Sequence, residues 1–180
     1  MIEFNTILSF IQAAGIIVGL AYYILNIQNN QRNQELSLKA QQQTLETRQA
    51  QLYMQIYNTL NTREMCEADY INQHLELKTI EDWEKLQEDK EKWVAWTQWG
   101  NLLEGIGVLL REDLIDISHL ARLLSGTIIW WWEKYESFIM EFRRELDFPR
   151  AMIELEYLHD ELVKYSEDHP ELQIVSPRLP

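Results

Sequence analysis

The sequence predicts an all-α protein: a single N-terminal transmembrane helix that continues into a polar helical stalk and then a cytoplasmic helical bundle. Three observations carry this expectation. No charged residue occurs from Phe4 to Ile27. Later apolar residues recur at threes and fours, the helical period, rather than at twos. Between Gly19 and Gly100 there is neither glycine nor proline to interrupt a helix. The resulting divisions are an anchor at 1–27, a stalk at 28–51, a bundle at 52–166 and an extended tail at 167–180 that holds three of the four prolines.

The anchor rests on length and flanks. The charge-free run of 24 residues spans about 36 Å as a helix, enough to cross a hydrocarbon core of ~30 Å with some tilt. A cleaved signal would start basic and end at small residues, whereas Met1-Ile2-Glu3 is not basic and Ile24-Leu25-Asn26 is a poor cleavage site. Glu3 precedes the run, while Arg32, Lys39 and Arg48 follow it. That bias expects a single-pass protein of the inner (cytoplasmic) membrane with its C-terminal domain in the cytoplasm.

In the stalk, Leu38, Leu45 and Leu52 repeat every seven residues. The second apolar position of each heptad is missing, because Gln41, Arg48 and Gln55 fill one candidate series and Gln42 and Gln49 the other. A weak or ring-like bundle fits this better than a two-stranded coiled coil. Leu52, Ile56 and Leu60, with Tyr53 and Tyr57, then give a core-facing stripe, and residues 62–78 read as a short helix or turn. Thr79 with Asp82 three residues on resembles a helix start. Trp93, Trp96, Trp99, Leu103, Ile106 and Leu110 mark the next helix. Gly100, Gly105 and Gly107 weaken that helix and are tolerable mainly where a neighbouring helix packs closely. Asp116 reads as the cap of a helix running to about Leu146, and Pro149 as the first turn of a last helix.

Composition excludes some functions. The formal charge of −13, from 29 acidic against 16 basic residues, argues against nucleic-acid binding through a broad basic face. Cys66 is the sole cysteine, so an intrachain disulfide and a multi-cysteine zinc site are both excluded.

The anchor carries the most informative pattern. At 100° per residue, Asn5, Ser9, Gln12, Gly15, Gly19, Tyr23 and Asn26 fall within one arc. Polar groups facing lipid would leave hydrogen bonds unmade, so this stripe should face protein or water. Gly15 and Gly19 form a GxxxG pair suited to close helix approach. Packing against another copy or a different subunit, and lining a wet pore, both satisfy the pattern. Trp130-Trp131-Trp132 cannot all face one side of a helix, which makes them candidate oligomer contacts. Glu156-x-x-His159 and Asp116-x-x-His119, with Glu104 or Glu133 as bridges, have di-iron spacing. Glu-x-x-His arises easily by chance in so acidic a chain, so neither metal nor cofactor is expected. Gly105-Ile106-Gly107 lacks the third glycine and the Lys-Ser/Thr of a phosphate loop.

Residues Trp96 to Leu162, especially Leu103-Glu104-Gly105-Ile106-Gly107, Arg111 to Asp116, Trp131-Trp132, Pro149-Arg150-Ala151 and Glu154 to Leu158, resemble an uncharacterised DUF4760-like family of membrane-anchored helical proteins. In layout the chain is also similar to the HEPN-like membrane accessory protein of type VI-B CRISPR systems. That resemblance implies a multimeric pore around a HEPN-like helical domain, with a role in antiviral defence. HEPN ribonucleases place Arg and His about four to six residues apart. Arg111 to His119 and Arg150 to His159 are more widely separated, which argues against nuclease activity.

The expected function is thus a non-enzymatic, membrane-anchored homo-oligomer, a pore or membrane-permeabilising effector in prokaryotic defence, with the lipid bilayer as partner. The alternative is a small accessory or scaffold subunit of a larger membrane complex. An anchored hydrolase or nuclease ranks third.

Overall fold

The computed structural model describes residues 4–172, and side chains within the first helix from Gln12 onward. These residues are all-α, with seven helices, one 3-10 turn at Pro170–Leu172 and no strand among them. Two compact units are formed, Met1–Arg48 and Gln49–Pro180.

Helix α1 (Phe4–Leu60) is unbroken, as the lack of breakers predicts. Every side chain from Gln12 to Arg48 is exposed, Leu38 and Leu45 included. Among the described residues no helix is long and apolar enough to cross a membrane. The physical reason lies in what is described: Gln12 to Ile27 is 16 residues, about 24 Å of helix, short of a ~30 Å core. The side chains of Phe4 to Ile11, the rest of the charge-free run, lie outside the described set.

The second unit begins with the last turns of α1, where Ile56 is buried and the Tyr53 ring lies 5.5 Å from that of His119. Helix α2 (Arg63–His74) starts at Thr62, whose hydroxyl accepts the Met65 N–H at 3.3 Å. Helix α3 (Ile80–Glu88) has the capping box expected of Thr79 and Asp82. Asp89 alone separates it from α4 (Lys90–Arg111) and caps it by accepting the Lys92 N–H. Helix α4 is the centre of the bundle, packing on α2, on α3 and on α7 (Ile153–Asp168). It buries Trp96, Trp99, Leu103, Ile106 and Leu110, the stripe its periodicity predicts.

Two boundaries differ from expectation. The helix expected from Asp116 to Leu146 is two, α5 (Ile117–Leu123) and α6 (Ser125–Glu145), broken at Leu124. A Ser125-Gly126 pair causes the break: the Ser125 hydroxyl donates to the Ala121 carbonyl at 2.7 Å, and glycine weakens the turn that follows. The last helix does not start near Pro149 but at Ile153, because Asp147 and Met152 take left-handed conformations (φ 49° and 55°) and fold 147–152 into turns. Helix α6 closes with the Phe148 N–H donating to the Arg143 carbonyl at 3.0 Å, a Schellman-type end with Asp where Gly is usual. Helix α4 ends the same way, with Asp113 at φ 54° and the Leu114 N–H on the Leu109 carbonyl. The expected extended tail is also corrected: α7 runs to Asp168, and the Pro170–Leu172 turn packs Leu172 against the core. Residues 173–180 lie outside the described residues.

Helices α4 and α7 approach so closely that a Cβ on Gly107 would overlap the Glu154 backbone carbonyl. One on Gly100 would come within 2.6 Å of the Met152 side chain, whereas one on Gly105 would meet nothing. Close packing therefore accounts for Gly107, where backbone stands in the way, but not for Gly105, and at Gly100 only the flexible end of Met152 would have to move. Gly107→Ala is expected to destabilise the bundle by about 1–3 kcal/mol through overpacking. Gly105→Ala is expected to stabilise it by up to about 1 kcal/mol through helix propensity. Thermal melts of both variants check the pair, and equal melting temperatures would count against the seam.

Candidate functional site

The polar stripe of α1 is displayed as the 3.6-residue period requires. Gln12, Gly15, Gly19, Tyr23 and Asn26 are all exposed, and an added Cβ at Gly15 or Gly19 would meet nothing. Asn5 and Ser9 lie on the helical backbone, but their side chains are outside the described residues. Around the stripe, Ile16, Ile17, Val18, Leu20, Tyr22, Ile24 and Leu25 are all more than half exposed. This first unit thus displays a sheath of large apolar side chains interrupted by one small and polar face.

The three consecutive tryptophans separate as the 100° step demands. Trp131 and Trp132 are buried inside the bundle, at 0% and 2% exposure, where the Trp131 ring lies 4.6 Å from Tyr135. Neither can serve as an oligomer contact, which corrects that expectation for both. Trp130, 36% exposed with Lys134 over its ring, is the one that reaches the surface.

The residues proposed for metal spacing are engaged elsewhere. Asp116 caps α5 by accepting the Ser118 N–H at 2.7 Å, and Glu156 pairs with Arg143 at 2.7 Å. His159 bonds Asp160 and lies against Trp132. Glu104 accepts the Leu155 N–H at 2.8 Å, so a carboxylate from α4 caps α7, whose own N-cap residue Met152 offers no side-chain cap. Among the described residues no three His, Cys, Asp or Glu side chains are grouped to hold a metal. Arg111 pairs with Glu154 and lies 3.9 Å over the Tyr157 ring, and no hydrogen bond joins any arginine to a histidine among the described residues.

A site that the sequence did not single out lies where α3, α4 and α6 meet the 147–152 turns. A cavity of about 260 Å³ is walled by Trp83, Trp96, Phe138, Phe142 and Phe148, with Asn101, Glu104 and Arg150 as its polar side chains. The rings brace one another: Trp83 stands edge-on to Trp96 and to Phe142, at 5.1 Å in each case. Arg150 is exposed and has no hydrogen bond or ion pair among the described residues. The signal in the sequence was Phe148-Pro149-Arg150, which carries a large apolar ring and a cation in a short segment between helices.

The fold and these features define an all-α protein with one long exposed helix and a self-contained bundle that holds an aromatic-walled cavity. The family model Domain of unknown function (DUF4760) matches residues 9–162, and the chain belongs to that family. No curated protein and no solved structure matches it, so the likeness to the type VI-B CRISPR accessory protein is not supported.

Asp116 gives a testable acid response. Hydrogen bonds from Ser118, through its hydroxyl and then its backbone N–H, hold this carboxyl below its ordinary value of 3.8. A lowered carboxyl pKa contributes stability that is present above 3.8 and lost as pH falls through the folded-state value. Asp116→Ala should cost about 1 kcal/mol at neutral pH, as lost caps do. Asp116→Asn should keep most of the cap and flatten the acid limb of stability. Denaturant melts between neutral and strongly acidic pH check this, and an unchanged acid limb in Asp116→Asn would remove the assignment.

Proposed function

We propose that this protein is a membrane-anchored homo-oligomer without catalytic activity, whose N-terminal helices associate through the Gln12, Gly15 and Gly19 face and surround a pore. The observation that carries the reading is the apolar sheath of α1, with seven large apolar side chains between Ile16 and Leu25 more than half exposed. Exposed apolar surface of this extent marks contact with lipid or protein. Together with the undescribed side chains of Phe4 to Ile11, the sheath makes up a charge-free run long enough to span a bilayer. The vacant space at Gly15 and Gly19 suits the close approach of a second helix. The basic residues Arg32, Lys39 and Arg48 after the run favour a cytoplasmic bundle in this reading. No defence role is proposed, since the likeness that implied one is unsupported.

The same open face would serve an accessory subunit that docks on a different membrane protein, and the two readings separate experimentally. Purified alone in detergent, a self-assembler gives one large particle, and Gly15→Leu combined with Gly19→Leu reduces it to monomer while membrane insertion persists. An unchanged mass would sink the packing role. Resistance to alkaline carbonate extraction is expected, and recovery in the soluble fraction would remove the anchor. In protein-only liposomes, wild type should conduct, Gln12→Leu should conduct less without loss of the particle, and Gln12→Glu should shift preference toward cations. A silent wild type counts against the pore and for the accessory reading.

A further inference from the structure

We infer that the aromatic-walled cavity beside the start of α7 binds a small planar aromatic anion, with Arg150 taking its charged group and the Trp83, Phe142 and Phe148 rings its flat face. The walls are preformed. Trp83 contacts Phe138 as well as Trp96 and Phe142, with ring centroids 5.1–5.9 Å apart, so little ordering is left to be done on binding. Phe148 is 52% exposed at the edge, a large apolar ring that a stacked ligand would shield from water.

In a chain of formal charge −13, carboxylates often pair a guanidinium, yet the one carboxylate lining this cavity, Glu104, is engaged, and among the described residues Arg150 makes no ion pair with Asp147 or any other acid. Glu104 caps α7, and Glu156 pairs with Arg143, whose Nε donates to the Ala151 carbonyl. Among the described residues Arg150 has no partner beside the rings, and a planar guanidinium recognises carboxylate and phosphate in two-pronged fashion. The second oxygen of Glu104 and the Asn101 amide add an acceptor and a mixed donor–acceptor, favouring a ring that carries an N–H. The α7 N-terminus offsets part of the Glu104 charge, which limits its repulsion of the ligand. A volume of about 260 Å³ lies just below the usual range for small-molecule sites, so it suits a ring rather than a peptide or an acyl chain.

Two sources share this chemistry, nucleoside monophosphates and aromatic carboxylates. Full-length protein in detergent is titrated with AMP, GMP, CMP and indole-3-acetate, with adenosine and inorganic phosphate as partial ligands, by calorimetry and by tryptophan fluorescence where the probe does not itself emit. At least one anionic ring should bind with Kd below about 1 mM, at least tenfold more tightly than adenosine or phosphate. Arg150→Gln and Phe148→Ala, both changes of exposed side chains, should each weaken it about tenfold while the melting temperature stays put. Tighter binding of a nucleotide or of the carboxylate tells which source fits. No saturable binding by any probe, binding of adenosine equal to that of AMP, or affinity unchanged in both variants would overturn the inference. These outcomes are independent of whether the chain assembles in a membrane.

Discussion

The closeness of α4 and α7 is the constraint on which the rest of the bundle hangs. Side chains normally hold helix axes 8–10 Å apart, and at Gly107 even a methyl group would strike the Glu154 carbonyl. Once the two helices meet there, Glu104 reaches the Leu155 N–H and Arg111 reaches Glu154 and the Tyr157 ring. The preceding turns are then pinned as well, with Ala151 buried and its carbonyl bonded to Arg143. Those turns carry Phe148 and Arg150 to the rim of the aromatic cavity. One missing side chain thus sets the position of a cap, an ion pair and a candidate binding site.

On its other side α4 is tied to α2 through a buried amide. The Asn72 Nδ2 donates to the carbonyls of Ala68 and Ala95, and the Trp99 indole N–H donates to Met65. At the end of α2, Lys134 donates to the carbonyls of Asn72 and Gln73, and the Tyr135 hydroxyl donates to that of Asn72. These carbonyls are the acceptors that a helix end leaves unpaired, and a cation suits the negative pole there. Burial pushes the Lys134 ammonium down and the Tyr135 phenol up from their ordinary values. Helix α6 therefore holds α2 by polar groups and, through Trp131, Phe138 and Ile139, joins the core by apolar ones.

Much of this was legible because helical period and simple caps are local properties. The Trp96 to Leu110 stripe, the Thr79–Asp82 capping box, the Asp116 cap and the unbroken α1 follow from residues within a turn or two of one another. What escaped depends on contacts distant in sequence or on unusual residues at common motifs. Asp113 and Asp147 end helices in a conformation normally signalled by glycine, so their left-handed turns were not visible, although the end of α6 near Leu146 was. Glu104 looked like a metal bridge because its partner, the Leu155 N–H, lies 51 residues away. The cavity gathers side chains from three helices and a set of turns, and no window of sequence displays that convergence. Trp131 and Trp132 carried no local sign that the bundle is thick enough to bury both.

The distribution of unpartnered groups narrows where function can reside. Within the bundle the residues with chemical potential are mostly spent on structure: Asp82, Asp89 and Asp116 on caps, Glu104 on α7, and Glu154 and Glu156 on arginines. A catalytic centre needs at least two such groups converging on open space, whereas His119 and His159 lie against Tyr53 and Trp132 respectively. Two regions stand apart. One is the exposed apolar sheath of α1 with its vacant small-residue face; the other is the cavity where Arg150, without an ion pair among the described residues, lies beside braced rings. Apolar surface left exposed costs free energy in isolation. The proposed association would cover the first region, and the proposed ligand would occupy the second.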